Sequence, residues 1–209
     1  MLGLPASTEI HTLITKKKVY EHFGADMSAE RRKKFDADVA RMVLTNEISP
    51  ASTILAPGEN VQNFFVLHVL LKSKNFDAQN IACLARLFGQ RLILVLEAEN
   101  QQRLAIWQTK LILTDWAEPD AFTLPLEGTN LDRAWENAVS RIAGIELQQD
   151  KTLDEQLAAA AQREKLQKEI AKLEKQARAE KQPKRKFELV QKAKTLRQQL
   201  LLDEERNDR

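Results

Sequence analysis

Hydrophobic positions along the chain change spacing several times, and each change marks an element. Residues 1–15 show no periodicity, and Gly3 and Pro5 predict an extended arm. Lys16–Phe23 predicts a short helix. Gly24-Ala-Asp-Met-Ser28 reads as a break, with Ser28 placed to cap the next helix. In that helix Phe35, Val39, Met42 and Val43 share one face, behind the basic run Arg31, Arg32, Lys33 and Lys34. Residues 45–49 and 53–55 read as extended, with Pro50 between them, and Pro57-Gly58 marks a turn. Phe64–Leu71 is an apolar, β-rich run that predicts a central strand buried on both faces. Asp77 is placed to cap a helix carrying Ile81, Leu84, Ala85 and Phe88, which Gly89 ends. Residues 92–96 and 104–113 predict a second and a third strand. Glu99-Asn-Gln-Gln102 between them suits a hairpin, so the two run antiparallel. Thr129 or Asn130 caps a final helix with Leu131, Trp135, Val139 and Ile142 on one stripe, stopping near Gly144. The order predicts an α+β domain over residues 1–150, with helices on one face of a small mixed sheet.

Beyond residue 150 the glycines disappear and Ala, Gln, Glu, Lys and Leu dominate. Leu166, Ile170, Leu173 and Ala177 follow the 4-3-4 spacing of a coiled-coil seam. Pro183 breaks the helix, and a second stripe runs Leu189, Ala193, Leu196, Leu200. Residues 151–209 therefore predict an antiparallel helical hairpin. So thin a seam is marginal alone. Leu166, Ile170, Leu173, Leu189, Leu196 and Leu200 are accordingly the candidate interface with a further surface, in the same chain, a second copy or a different protein.

Charge adds a second feature to the hairpin. The net charge of the 209 residues is only +2, but residues 1–150 carry 16 basic and 19 acidic side chains and residues 151–209 carry 16 and 11. Lys181, Lys184, Arg185, Lys186, Lys192, Lys194 and Arg197 fall in one short stretch against a single acid, Glu188. These seven are the candidate nucleic-acid contacts, since a basic tip neutralises phosphates with a steep salt dependence. The plain alternative is a solvated helix face. No aromatic residues interleave with the patch, so base stacking is not supported. The single cysteine, Cys83, excludes an intrachain disulfide and suits a reducing compartment. The first ten residues lack the basic and apolar regions of a secretion signal. The longest apolar run is far shorter than the ~20 residues that span a bilayer. The expectation is a soluble cytoplasmic protein.

The chain offers no catalytic set. Its six glycines are too scattered for a phosphate-cradling loop. One cysteine and three histidines cannot assemble a local zinc site, and Cys83 sits mid-helix among apolar neighbours as a core thiol. A restriction-type nuclease strand ends in an acid, one spacer and a lysine, with a further acid upstream, because carboxylates must hold Mg²⁺. Here the strand ends Leu70-Leu71-Lys72, with leucine at the carboxylate position. His68 in the same strand reads as a structural histidine. No cofactor, no metal and no catalytic residue is expected.

Several stretches recur, in order, in a known family. They are Ile14-Thr-Lys-Lys-Lys-Val-Tyr20, Phe35-Asp-Ala-Asp-Val39, Leu44 through Ile48-Ser-Pro50, Phe65 through Lys72, residues 92–96, Gln102-Arg-Leu-Ala-Ile106, and the tail from Leu173 through Leu189. On these the chain resembles the bacterial domain-of-unknown-function family 4391. That family brings no assigned catalytic residues. The resemblance implies genes placed beside DNA methyltransferases and restriction-type helicases in clusters for defence against phage. It also implies an acidic residue in the strand ending at Lys72, where this chain has His68 and Leu70. The expectation is a non-enzymatic accessory subunit docking onto a helicase or methyltransferase. The alternative is a nucleic-acid-binding module that uses the hairpin tip.

Overall fold

The computed structural model describes residues 2–24, 27–148 and 150–207. The chain divides into two units, Met1–Leu147 and Gln148–Arg209.

In the first unit six strands form one sheet in chain order: β1 (Glu9–Leu13), β2 (Val39–Ile48), β3 (Phe64–Leu71), β4 (Leu92–Ala98), β5 (Gln101–Trp107) and β6 (Leu111–Leu113). All neighbours are antiparallel except β3 and β4. A parallel pair needs a crossover, and α3 (Ala78–Ala85) lies within it. Glu99 and Asn100, both at positive φ, make the tight β4–β5 turn.

Period-two alternation divides the side chains between the two faces. On one face Leu67, Val69 and Leu71 of β3, Leu92, Leu94 and Leu96 of β4, and Ala105 of β5 join a single core cluster. Val19 of α1 (Lys16–Phe23), Phe35 of α2 (Ala29–Asp38) and Ile81 and Leu84 of α3 complete it. Each large side chain buried this way contributes about 1.5–3 kcal/mol. On the other face the ring of Phe64 meets Trp135 of α4 (Leu131–Ala143) edge-on, with centroids 5.5 Å apart. Helix ends are set by local chemistry. Thr15, Ser28, Asp77 and Asn130 each accept a backbone N–H in the first turn, a cap contributing typically ~1 kcal/mol. Gly144 ends α4 in the left-handed conformation.

The mixed sheet with packed helices is the architecture that the pattern predicts, with five corrections. Helices cover both faces, because α4 packs opposite α1–α3. Val39, Met42 and Val43 belong to β2, since α2 ends at Asp38. Residues 104–113 form the end of β5, a turn and β6, because the chain reverses where Gln108 N–H donates to Lys110 O at 3.2 Å. The N-terminal arm, expected to be extended, makes a 3₁₀ turn at Ala6–Thr8 and then pairs as the edge strand β1. Residues 53–55 form a loop, in which Ser52 Oγ donates to Glu47 O and Thr53 Oγ1 to Ser49 O. Ala25 and Asp26 of the expected break, and the side chain of Phe88, lie outside the described residues.

The second unit is a pair of helices in close contact, α5 (Leu153–Ala179) and α6 (Pro183–Asn207). Thr152 and Glu155 form a reciprocal capping box at the start of α5. Pro183 opens α6, where its missing N–H costs nothing and its fixed φ suits the first turn. Only residues 180–182 separate the helices, so they run antiparallel, and Arg197 meets Glu174 across the pair at 2.6 Å. That register sets Ala193 level with Ala177. Both are buried, and their small side chains let the backbones approach.

Candidate functional site

The hairpin carries both sets of residues singled out from the sequence. Leu166 and Ile170 are buried, and Leu173, Leu189, Leu196 and Leu200 are half-buried. At the turn, Lys181, Lys184, Arg185 and Lys186 cluster, all exposed. Glu180 reaches into this cluster. Its carboxylate accepts from Gln182 N–H at 2.9 Å and lies 3.8 Å from Arg185 Nε. The Gln182 hydrogen bond is the first cause holding its carboxyl below the usual range. Lys192 and Lys194 lie one to three turns further along, exposed, and Arg197 is engaged by Glu174. Among the described residues no acid lies within ion-pair distance of Lys184, Lys186, Lys192 or Lys194.

Sequence reasoning missed a second apolar stripe on α6. Phe187 is 63% exposed, Val190 47%, Leu201 59% and Leu202 58%. A helix turns about 100° per residue, which sets Phe187, Val190 and Leu201 on the side of α6 away from the seam. Their spacing with Lys194 and Arg197 is 3-4-3-4, the same repeat as the seam itself. The spacing was therefore readable, but the cations at its two inner positions, Lys194 and Arg197, hid it.

The globular unit offers two polar clusters. On the sheet face that α4 leaves open, cross-strand partners align Leu13, Val43 and His68 in one row and Arg41, Leu70 and Glu97 in the next. His68 Nε2 lies 2.8 Å from Glu97 Oε2, and Gln102 Nε2 donates to the same oxygen at 3.1 Å. His68 thus has a partner that β4 supplies. Leu70, at the position a nuclease would fill with a carboxylate, is partly exposed and paired with Glu97. Lys72 Nζ donates to Asp36 O at 2.6 Å. Asp36 is the second cluster's centre: Lys16 Nζ and Tyr20 Oη both donate to its Oδ1, at 2.9 and 2.7 Å. Arg32 lies over the Tyr20 ring. Among the described residues no three His, Cys, Asp or Glu side chains group as a metal ion requires. Cys83 is half-buried on α3. No described helix is long and apolar enough to cross a membrane.

These features define an α+β protein that joins a mixed-sheet unit to a basic helix pair. The chain belongs to the family described as Domain of unknown function (DUF4391), which matches residues 2–200. No curated protein and no solved structure matches it.

Proposed function

We propose that the chain is a non-enzymatic accessory subunit of a bacterial restriction or anti-phage system, docking onto a helicase or DNA methyltransferase encoded nearby. The observation that supports this reading is the exposed outer stripe of α6. Monomeric proteins rarely leave large apolar side chains aligned along one exposed helix face, and such faces mark interaction sites. The gene neighbourhood implied by the family resemblance supplies the kind of partner. The test is purification of the chain from its native host at moderate salt. A neighbour-encoded helicase or methyltransferase should accompany it, and Phe187→Asp with Leu201→Asp should release that partner. A lone chain that carries no such partner contradicts the reading.

A second reading is a nucleic-acid-binding module, supported by the exposed lysines at the turn without acidic partners. It predicts that Lys184→Glu with Arg185→Glu weakens binding to duplex DNA or RNA and flattens its salt slope. Binding left unchanged by that pair, or absent in the parent, rules it out.

A further inference from the structure

The outer stripe of α6 carries its own statement about what covers it. Phe187, Val190, Lys194, Arg197 and Leu201 repeat at 3-4-3-4, so one straight helix laid along them meets every position. The stripe is apolar at both ends and cationic in the middle. Arg197 is already paired with Glu174 at 2.6 Å. Lys194 is exposed and, among the described residues, has no carboxylate within ion-pair distance. Lys184 and Lys186 flank the stripe, and Glu188, the one acid between Lys181 and Leu202, falls on another side of the helix.

A second copy of α6 fits this stripe poorly. Antiparallel pairing that matches Phe187 with Leu201 of the copy brings Lys194 against Lys194. Parallel pairing in register does the same and adds Arg197 against Arg197. Shifting the antiparallel register by one heptad separates the lysines but leaves Leu201, or Phe187 and Val190, without a partner. Nucleic acid fits it poorly as well, because phosphates reward cations and give nothing for aligned aliphatic side chains.

We propose that the outer stripe of α6 seats a partner helix that is apolar at its ends and acidic at its centre, where a carboxylate faces Lys194. This inference rests on the accessory-subunit reading and names the chemistry of its contact.

The probe is a synthetic heptad-repeat peptide with leucine at its seam positions and glutamate at the central one. Its binding to the full-length chain is followed by fluorescence anisotropy. The parent protein should bind this peptide roughly tenfold more tightly than a peptide with lysine at the centre, the scale of one desolvated charge pair. Lys194→Glu should invert that preference, and Phe187→Ala should weaken binding to both peptides while circular dichroism shows the helices intact. Lys194→Gln, which adds no charge, should abolish the preference without inverting it. Equal affinity for the two peptides, or indifference to Lys194→Glu, overturns the proposal. Displacement of the glutamate peptide by duplex DNA, with a steep salt slope, also overturns it and assigns the face to nucleic acid. The native co-purification separates the two levels. A neighbour-encoded partner that stays bound to Lys194→Glu and Phe187→Ala variants refutes this contact and leaves the accessory reading standing. A chain that binds the peptide but brings no native partner refutes the accessory reading alone.

Discussion

The hydroxyl of Tyr20 donates to Asp36 Oδ1 at 2.7 Å and so ties α1 to α2. Burial, the hydrogen bond to Asp36 and the negative charge of that carboxylate, in that order, raise the tyrosine's pKa above its ordinary value. A raised folded-state pKa means stability that is complete below the unfolded value of about 10 and is lost as pH rises beyond it. Tyr20 is the sole tyrosine, so tyrosinate absorbance reports it alone. The folded protein should show no tyrosinate through the usual range. Asp36→Asn should bring the transition down, and a normal tyrosine titration in the parent would contradict the contact.

Asp36 itself makes an acid-side prediction. The hydrogen bond from Lys16 is the first cause holding its carboxyl low, followed by the one from Tyr20. A depressed pKa gives stability that is present above the unfolded value, about 4, and lost as pH falls through and below it. The side chain is half exposed, so water screens the effect and it is modest. Urea unfolding in acid should show a shallower decline for Lys16→Met than for the parent. Identical acid limbs would contradict this account.

Asp132, in the first turn of α4, holds the loop before β3. Its carboxylate accepts the backbone N–H groups of Glu59 at 2.7 Å and of Val61 at 2.7 Å, with Asn60 at 3.1 Å. Asp132→Ala leaves these donors without their acceptor and should destabilise the fold by about 1–3 kcal/mol. Gly58→Ala should also destabilise, because a Cβ there would stand 2.4 Å from Asp132 Oδ1 and 2.8 Å from Asp132 N. Denaturant midpoints read from the nearby Trp135 check both. A midpoint unchanged by Asp132→Ala would contradict the role given to this carboxylate.

The hairpin seam is thin, so one truncation should be felt. Ile170 is 7% exposed, and Ile170→Ala should cost about 2 kcal/mol or more. Glu174→Ala breaks only a partly exposed pair with Arg197 and should cost less than about 1 kcal/mol. Thermal melts followed by circular dichroism check the order. A larger loss from Glu174→Ala would show that charge, rather than packing, closes the hairpin.

Where the sequence signals were strong, the elements matched. Asn130, Gly144 and Pro183 carry their meaning locally, in capping chemistry and fixed dihedrals. The misreadings have physical causes. Phe35, Val39, Met42 and Val43 fit a helical face by spacing alone. The real boundary is at Asp38, whose carboxylate accepts from Asp77 N–H and Asn80 Nδ2, contacts made across about forty residues. Two bulges in β2 then blur its alternation. The β5–β6 turn at Gln108-Thr109-Lys110 has neither glycine nor proline to announce it. β1 is nearly all exposed, so it shows no apolar rhythm. Of the candidate surfaces, the basic turn and the seam were visible as composition and spacing. The Asp36 and Glu97 clusters were not, because each joins residues from different strands and helices.

The docking of a protein partner on the outer face of α6 is the proposal on which the rest depends. Purification of the chain from its native host tests it, parent beside the Phe187→Asp, Leu201→Asp variant, with the bound proteins identified. A neighbour-encoded helicase or DNA methyltransferase should accompany the parent in stable amount and be lost from the variant. A parent that elutes alone, or a partner held equally by both, would contradict it.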